Sequence, residues 1–152
     1  MHATIQKIRL PIPGLDLLLA EARAEGYNFV DTLAADWESG KNRFDGPGEI
    51  LCGHLDQGLL VAVGGLNLDP FEGDPQVGRI RRVYVRKAWR GQGLGTALVL
   101  ALVAEARKTF SIVRLRAEND SAARLYERLG FQPIPNPDAT HVLQLSNPTN
   151  FH

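Results

Sequence analysis

The chain carries a single cysteine, Cys52, so no intramolecular disulfide can form and no cysteine-based metal site is available, a pattern that fits a reducing compartment. Cys52 itself reads as a small core residue of a strand. Charge of one sign is also missing: 17 Lys and Arg stand against 17 Asp and Glu, a formal net charge of zero. That balance removes the overall field that draws a protein to nucleic acid or to an anionic membrane, and neither partner is expected. The most apolar helical run, Leu94 to Ala106, falls well short of the ~20 residues a bilayer span needs. No basic segment followed by an apolar stretch and a small-residue cleavage site is present, so no signal peptide is expected and the protein reads as cytoplasmic. There is no internal repeat and no low-complexity tract. At 152 residues the chain suits one domain over 1–152 that buries about 70% of its unfolded surface, with a polar, frayed tail from about Ser146.

What is present is concentrated between Arg79 and Thr96, RIRRVYVRKAWRGQGLGT. Ile80 to Val85 reads as a strand, and a basic loop and a glycine-rich turn come after it. The turn opens into an apolar helix that runs to about Lys108. Gly91, Gly93 and Gly95 let the backbone turn sharply and come close to a ligand, and the first amides of the helix have no carbonyl partners within it. A phosphate satisfies such amides, the helix N-terminus favours the same anion, and Arg86, Lys87 and Arg90 add full charges to the loop. A tight connection with no ligand is the bland alternative. The Rossmann fingerprint and the P-loop are both excluded, because neither the third glycine with its distant acid nor Gly-Lys-Ser/Thr occurs. The hexapeptide Arg90-Gly91-Gln92-Gly93-Leu94-Gly95 instead resembles the [R/Q]-x-x-G-x-[G/A] acyl-CoA-binding motif of the GNAT superfamily of N-acetyltransferases.

A second stretch strengthens the resemblance. Ile112 to Ala117 reads as a short strand, and Asn119 to Leu129 as an amphipathic helix with Asn119 or Ser121 as N-cap. Ala122, Leu125, Tyr126 and Leu129 share one face, and Gly130 suits the C′ position. This resembles the second GNAT signature, an Asn closing the fifth strand, A-x-x-x-Y on the helix, and G-F behind it. The two signatures cover Arg79 to Phe131.

The rest of the chain supplies the remaining elements. Ala3 to Leu10 alternates imperfectly before Pro11, Asp16 to Ala24 and about Val30 to Glu38 read as helices, and Glu49 to Leu55 and Leu59 to Leu68 as strands around a turn at Asp56-Gln57-Gly58. Asp69 to Pro75 carries acids and prolines and reads as an exposed irregular loop. Phe131 to Pro133 and Thr140 to Leu145 complete the set. The order is β-α-α-β-β-β-α-β-α-β-β. The resemblance implies an α/β (α+β) GNAT-like fold, a mixed, mainly antiparallel sheet of about seven strands with helices on both faces, in which the fourth and fifth strands part at a bulge.

The resemblance also implies a function, transfer of an acetyl group from acetyl-CoA to a primary amine of a small molecule or peptide by direct attack in a ternary complex. The alternative is a catalytically silent acyl-CoA-binding sensor or interaction module. Acetyl-CoA would lie on Val83, Tyr84 and Val85, on Arg90, Gly91, Gln92, Gly93, Leu94, Gly95 and Thr96, and beside Asn119 and Tyr126. No metal is implied. Tyr126 would act as the acid that protonates or hydrogen-bonds the leaving thiolate, a phenol being protonated at neutral pH; without the resemblance it would read as a core-facing aromatic. Tyr27, Phe29 and Trp37 stand where the family forms a wall of the acceptor pocket, against the plain reading as core aromatics. The family's base position on the fourth strand departs from the pattern, because counting back from the glycine turn puts Arg79 and Arg81 there and arginine cannot accept a proton. Glu72, Asp74, Asp36, Glu38 and His141 are base candidates by neighbourhood. Arg79 and Arg81 either grip an acceptor carboxylate or are solvated or bound by Asp69, Glu72 and Asp74. Monomer and homodimer both stay open.

Overall fold

Strand Ile50–Asp56 (β2) and strand Leu59–Leu68 (β3) form the hairpin that anchors a seven-stranded sheet in this computed structural model, which describes residues 4–145. The other strands are Gln6–Lys7 (β1), Val77–Val85 (β4), Ile112–Leu115 (β5), Gln132–Pro133 (β6) and His141–Gln144 (β7), in spatial order β1-β2-β3-β4-β5-β7-β6. All neighbours are antiparallel except β4 and β5. Helices Leu15–Ala24 (α1) and Phe29–Ser39 (α2) cover one face, and Leu94–Ala106 (α3) and Asp120–Arg128 (α4) the other. The element order and the mixed sheet are those expected from the sequence. The tail from Ser146 and the first three residues of the chain, where the expected first strand begins, lie outside the described residues.

Two apolar clusters hold the faces to the sheet. On the α3 side Leu94, Leu98, Val99, Leu102 and Val103 pack with Val61, Leu66, Ile80, Val113 and Phe131; on the other, Leu18, Val30, Leu33 and Trp37 pack with Leu51, Leu60, Val63 and Tyr84. Trp37 therefore belongs to the core. Cys52 is 4% exposed in the first cluster, and burial, with the Glu105 charge second, pushes its thiol up to about 11. A thiol reagent at about pH 8 is expected to label the folded protein slowly and the guanidinium-unfolded protein at once, because the thiolate is the reactive species. Equal labelling rates would place Cys52 at the surface.

Several ends differ from expectation for local reasons. Helix α3 stops at Ala106 instead of Lys108, where Lys108 N donates to Glu105 O (3.1 Å) and Thr109 N to Ala106 O (3.1 Å) in a tightened last turn. β5 ends at Leu115 instead of Ala117, because Ala117 N turns to the Thr140 hydroxyl (2.8 Å). The acidic loop after β3 is not wholly exposed as expected: Asp69 is 2% exposed, and its Oδ1 accepts from the amides of Phe71 (2.8 Å) and Glu72 (3.0 Å).

β4 departs from a regular strand in two ways. Ile80, Val83 and Val85 all face α3, while Tyr84 faces α1 and α2. From Ile80 to Val83 is an odd step, which plain alternation would put on opposite faces. Arg82 supplies the extra residue: its φ is +62°, and the register with β3 shifts between Val63 and Gly65, a bulge opposite Gly64. The second departure is the parting of β4 from β5. Their pairing covers only Val77 to Arg79 against Ile112 to Arg114, so past Arg79 that edge of β4 opens.

Candidate active site

The opened edge is one wall of a cleft of about 490 Å³. Arg86 N donates to Val61 O in β3 (2.9 Å), and successive residues turn their amides to opposite edges, so the N–H and C=O of Val85, and likewise of Val83, point into the cleft. The glycine turn forms the floor. After a single 3₁₀ turn at Lys87–Trp89, Gly93 takes a left-handed φ of +81° as N-cap of α3. No side chain caps this helix and no acid occupies its first turn; the first intrahelical bond is Ala97 N to Gly93 O (3.0 Å). The amides of Leu94, Gly95 and Thr96 are therefore aimed outward without intrahelical partners. A Cβ added at Gly91 or Gly93 would meet nothing within 4 Å, so the chain leaves open space over the turn.

Of the expected cofactor residues, Val83, Tyr84, Val85, Arg90, Gly91, Gly93, Gly95, Thr96, Asn119 and Tyr126 line this cleft. The Leu94 side chain is in the core and Gln92 Nε2 turns to the Ala88 carbonyl (3.5 Å), which leaves these two only their backbone amides to offer. Asn119 has two tasks. Its Oδ1 accepts from Ala122 N (2.8 Å) as N-cap of α4, and its Nδ2 donates to the Tyr27 hydroxyl (2.9 Å). Tyr27 thereby ties the α1–α2 loop across the cleft, and it packs on Phe29 at 5.4 Å and Tyr84 at 6.3 Å between ring centres.

Arg90 does something that its motif position does not reveal. Its Nε donates to Val85 O (2.9 Å) and its two Nη atoms grip Glu25 at 2.8 and 2.5 Å, with the guanidinium over the Tyr84 ring. Glu21 receives Lys87 N (2.7 Å) and Arg86 Nε (3.4 Å), and the Tyr84 hydroxyl sits between Glu21 Oε2 (3.0 Å) and Glu25. Two acids of the α1 segment thus brace the basic loop from behind. The Arg90 fork, and the Tyr84 hydroxyl second, hold the Glu25 carboxyl down at about 2, below its ordinary 4.5. A depressed folded pKa stabilises above pH 4.5 and loses that contribution as pH falls toward 2. Glu25→Gln is expected to flatten this acid limb, its urea midpoint falling less than that of the wild type from about pH 5 to about pH 3. Parallel pH profiles for the two proteins would show that the Arg90–Glu25 contact carries no stability.

Tyr126 stands at the inner end of the cleft. It is 5% exposed, its ring packs on Phe131 (5.7 Å) and His141 (6.4 Å), and burial, with the Glu118 charge second, pushes its hydroxyl up to about 12. Phe29, Val83, Glu118 and Tyr126 also line a second cavity of about 240 Å³, where Phe71, Arg79, Ile80, Arg81, Arg82 and Arg116 complete the wall. The two spaces meet at these shared residues. Arg79 is 6% exposed and engaged: Nη1 reaches Asp69 at 3.4 Å, Nη2 donates to Asp138 O at 2.7 Å, and Phe71 lies 4.9 Å from its guanidinium carbon. Among the described residues Arg81 has no ion pair, and its buried Nε has no hydrogen-bond partner.

None of the five base candidates lines either cavity. Glu72 pairs with Arg114, Asp74 accepts from Gln76 N (2.9 Å), and His141 bridges Thr140 (2.7 Å) and Glu127 (2.8 Å). Asp36 acts on Arg81 and Arg82 through its charge, and the Glu38 carbonyl faces Arg43 (3.4 Å). Sequence reasoning missed Glu118 and Arg82. Glu118 was detectable as the acid just before the helix-capping Asn119, and Arg82 through Gly64-Gly65, the paired glycines that mark a bulge in the facing strand.

A family model described as the Acetyltransferase (GNAT) family matches residues 15–131. Among solved structures, a candidate acetyltransferase from Exiguobacterium sp. 255-15 is 29% identical with a TM-score of 0.84, over 95% of this chain and 94% of that one. An N-acetyltransferase from Staphylococcus aureus Mu50 shares the fold at 15% identity and a TM-score of 0.71, over 96% of this chain and 100% of that one. A candidate acetyltransferase from Salmonella typhimurium, solved with its cofactor acetyl-CoA, does so at 19% identity and a TM-score of 0.66, over 94% of each chain.

Proposed function

The chain belongs to the GNAT acetyltransferase family, and from that premise we propose that it is an acetyl-CoA-dependent N-acetyltransferase acting on a primary amine. The observation that carries the proposal is the junction of the two cavities. An open glycine turn, a stretch of β4 edge unpaired with β5 and a buried phenol line one cleft, and a second cavity shares Phe29, Val83, Glu118 and the phenol of Tyr126 with it. An acceptor site beside the thioester is what an enzyme needs and a protein that only binds acyl-CoA does not.

The residues present fit acetyl-CoA. The amides of Gln92 to Thr96 would take the diphosphate at the helix start, and the Val83 and Val85 edge would pair with the pantetheine amides. Arg90, held by Glu25 and Val85, stiffens the turn instead of reaching for the phosphates. Bound acetyl-CoA supplies the acyl group as a thioester, so that the amine nitrogen gains the carbonyl carbon while sulfur keeps the electron pair of the broken C–S bond and receives a proton. Tyr126 holds that proton at its hydroxyl. Val83 N–H, at the wall the two cavities share, is left to stabilise negative charge on a carbonyl oxygen when Val85 N–H pairs with the pantetheine. Glu118, the carboxylate that lines both spaces, takes the proton the amine loses. The decisive assay is CoA thiol release from acetyl-CoA over a panel of amines: acceptor-dependent release supports the enzyme, and tight acetyl-CoA binding with no release over the whole panel would leave the silent sensor.

A further inference from the structure

The second cavity is strongly cationic, and its charges differ in how far they are already matched. Arg79 is matched by Asp69, and nearby Arg114 by Asp69 and Glu72. Arg116 donates to a neutral carbonyl, that of Pro137. Arg81 and Arg82 form no ion pair among the described residues, although Asp36 acts on both, Asp69 and Glu49 on Arg81, and Glu118 on Arg82. Burial disfavours the charged form of both. Both line one cavity because the bulge at Arg82 breaks the alternation that would otherwise point adjacent residues to opposite faces. A left-handed φ on a long side chain is strained, and here it brings a second guanidinium to the same space.

We infer that this cavity takes an acceptor of the amino-acid class, its carboxylate held by Arg81 and Arg82 and its amine placed at the junction beside Glu118 and Tyr126. The inference rests on the acyltransferase reading. Guanidinium forks match the planar carboxylate and satisfy the cations that the fold leaves unmatched. The single acid of the lining, Glu118, stands at the junction, where an ammonium arrives and must lose a proton. The surrounding arginines disfavour that ammonium and so ease its deprotonation. Phe29 and Phe71, the latter 54% exposed, give an apolar side chain somewhere to lie.

The test measures CoA release at saturating acetyl-CoA for leucine, phenylalanine and valine, each beside its primary amide and its decarboxylated amine, with phosphoethanolamine as a further arm. The amino acids are expected to exceed their partners in kcat/KM by about tenfold or more, the scale of a charge-assisted hydrogen bond. Arg81→Gln and Arg82→Gln should erase that preference through KM and leave acetyl-CoA affinity unchanged, whereas Arg23→Gln, a charge change on α1 away from the site, should keep it. Equal or better turnover of the amides or amines, a preference for phosphoethanolamine, or a preference that survives in both variants would overturn the inference while leaving the acyltransferase standing. Calorimetry of N-acetylleucine against N-acetylleucinamide on the CoA-saturated protein asks the same question without turnover. Carboxylate-dependent binding that is lost in Arg82→Gln supports the inference, and equal or absent binding of the two overturns it. Failure of acetyl-CoA itself to bind would instead strike the acyltransferase reading.

Discussion

Gly93→Val is expected to weaken CoA and acetyl-CoA binding by about a hundredfold or more, equivalent to roughly 3 kcal/mol, while the protein still folds. The surroundings of the residue give the reason. A Cβ at Gly93 meets no atom within 4 Å, so the substitution creates no clash in the protein alone. The space it enters lies over the outward-facing amides at the start of α3, where a diphosphate must come within hydrogen-bond reach, and a β-branched side chain there blocks the approach. Backbone strain is the competing effect. A β-branched residue at φ +81° costs on the order of 1–3 kcal/mol, a tolerable fraction of the roughly 5–15 kcal/mol that holds a domain together. Gly58, at φ +80° in the β2–β3 turn with nothing within 4 Å of its Cβ position, isolates that cost: Gly58→Val should lower Tm about as much and leave CoA affinity unchanged. Calorimetric titration of the three proteins decides. If Gly93→Val binds CoA as tightly as the wild type, the diphosphate does not sit on this turn.

The glycine turn could be located from sequence because its signal is contained in six consecutive residues that set their own backbone. The helix faces and the Asn119 cap were legible for the same reason, since each depends on neighbours three or four positions away. What eluded sequence reasoning depends on partners far along the chain. Arg90 is fixed by Glu25, a residue 65 positions earlier on another element, so its motif position announces charge but not that the charge is already matched. Asp69 lies in a stretch whose prolines and acids read as solvent-facing, yet Arg79 and Arg114 draw it into the interior. The parity of β4 is a different failure. Counting back by twos from the turn assumes unbroken alternation, and one extra residue at Arg82 alters which arginines share a face. Arg79 and Arg81 both precede the bulge, so what it adds is Arg82 beside Arg81 at one cavity wall, while Asp69 separately matches the Arg79 charge.

For Tyr126→Phe the expected result is a fall in single-turnover acetyl transfer of about a hundredfold, the lower end of the 10²–10⁴ that a general acid typically supplies. The ring is retained, so its packing on Phe131 and His141 in the core survives and acetyl-CoA affinity should stay within about twofold. The lower end is favoured by the acidity of the phenol. Burial, reinforced by Glu118, pushes its pKa to about 12, whereas an ordinary thiol has a pKa of about 8.5, so complete transfer to sulfur runs uphill by roughly 3.5 pH units and much of the assistance is a hydrogen bond that strengthens as charge builds on sulfur. The same raised value fixes the pH signature. A folded pKa above the ordinary 10 means that the group stabilises the fold fully below pH 10 and loses that contribution as pH climbs through about 12. The wild type should thus show no Tyr126-dependent loss of rate between about pH 7 and about pH 10, and the phenylalanine variant should lose its share of the alkaline unfolding limb. Rapid-quench measurement at saturating acetyl-CoA and acceptor reads the chemical step directly. A single-turnover rate unchanged from wild type would reduce Tyr126 to a packing residue and leave the thiolate to be protonated by water entering along the cleft.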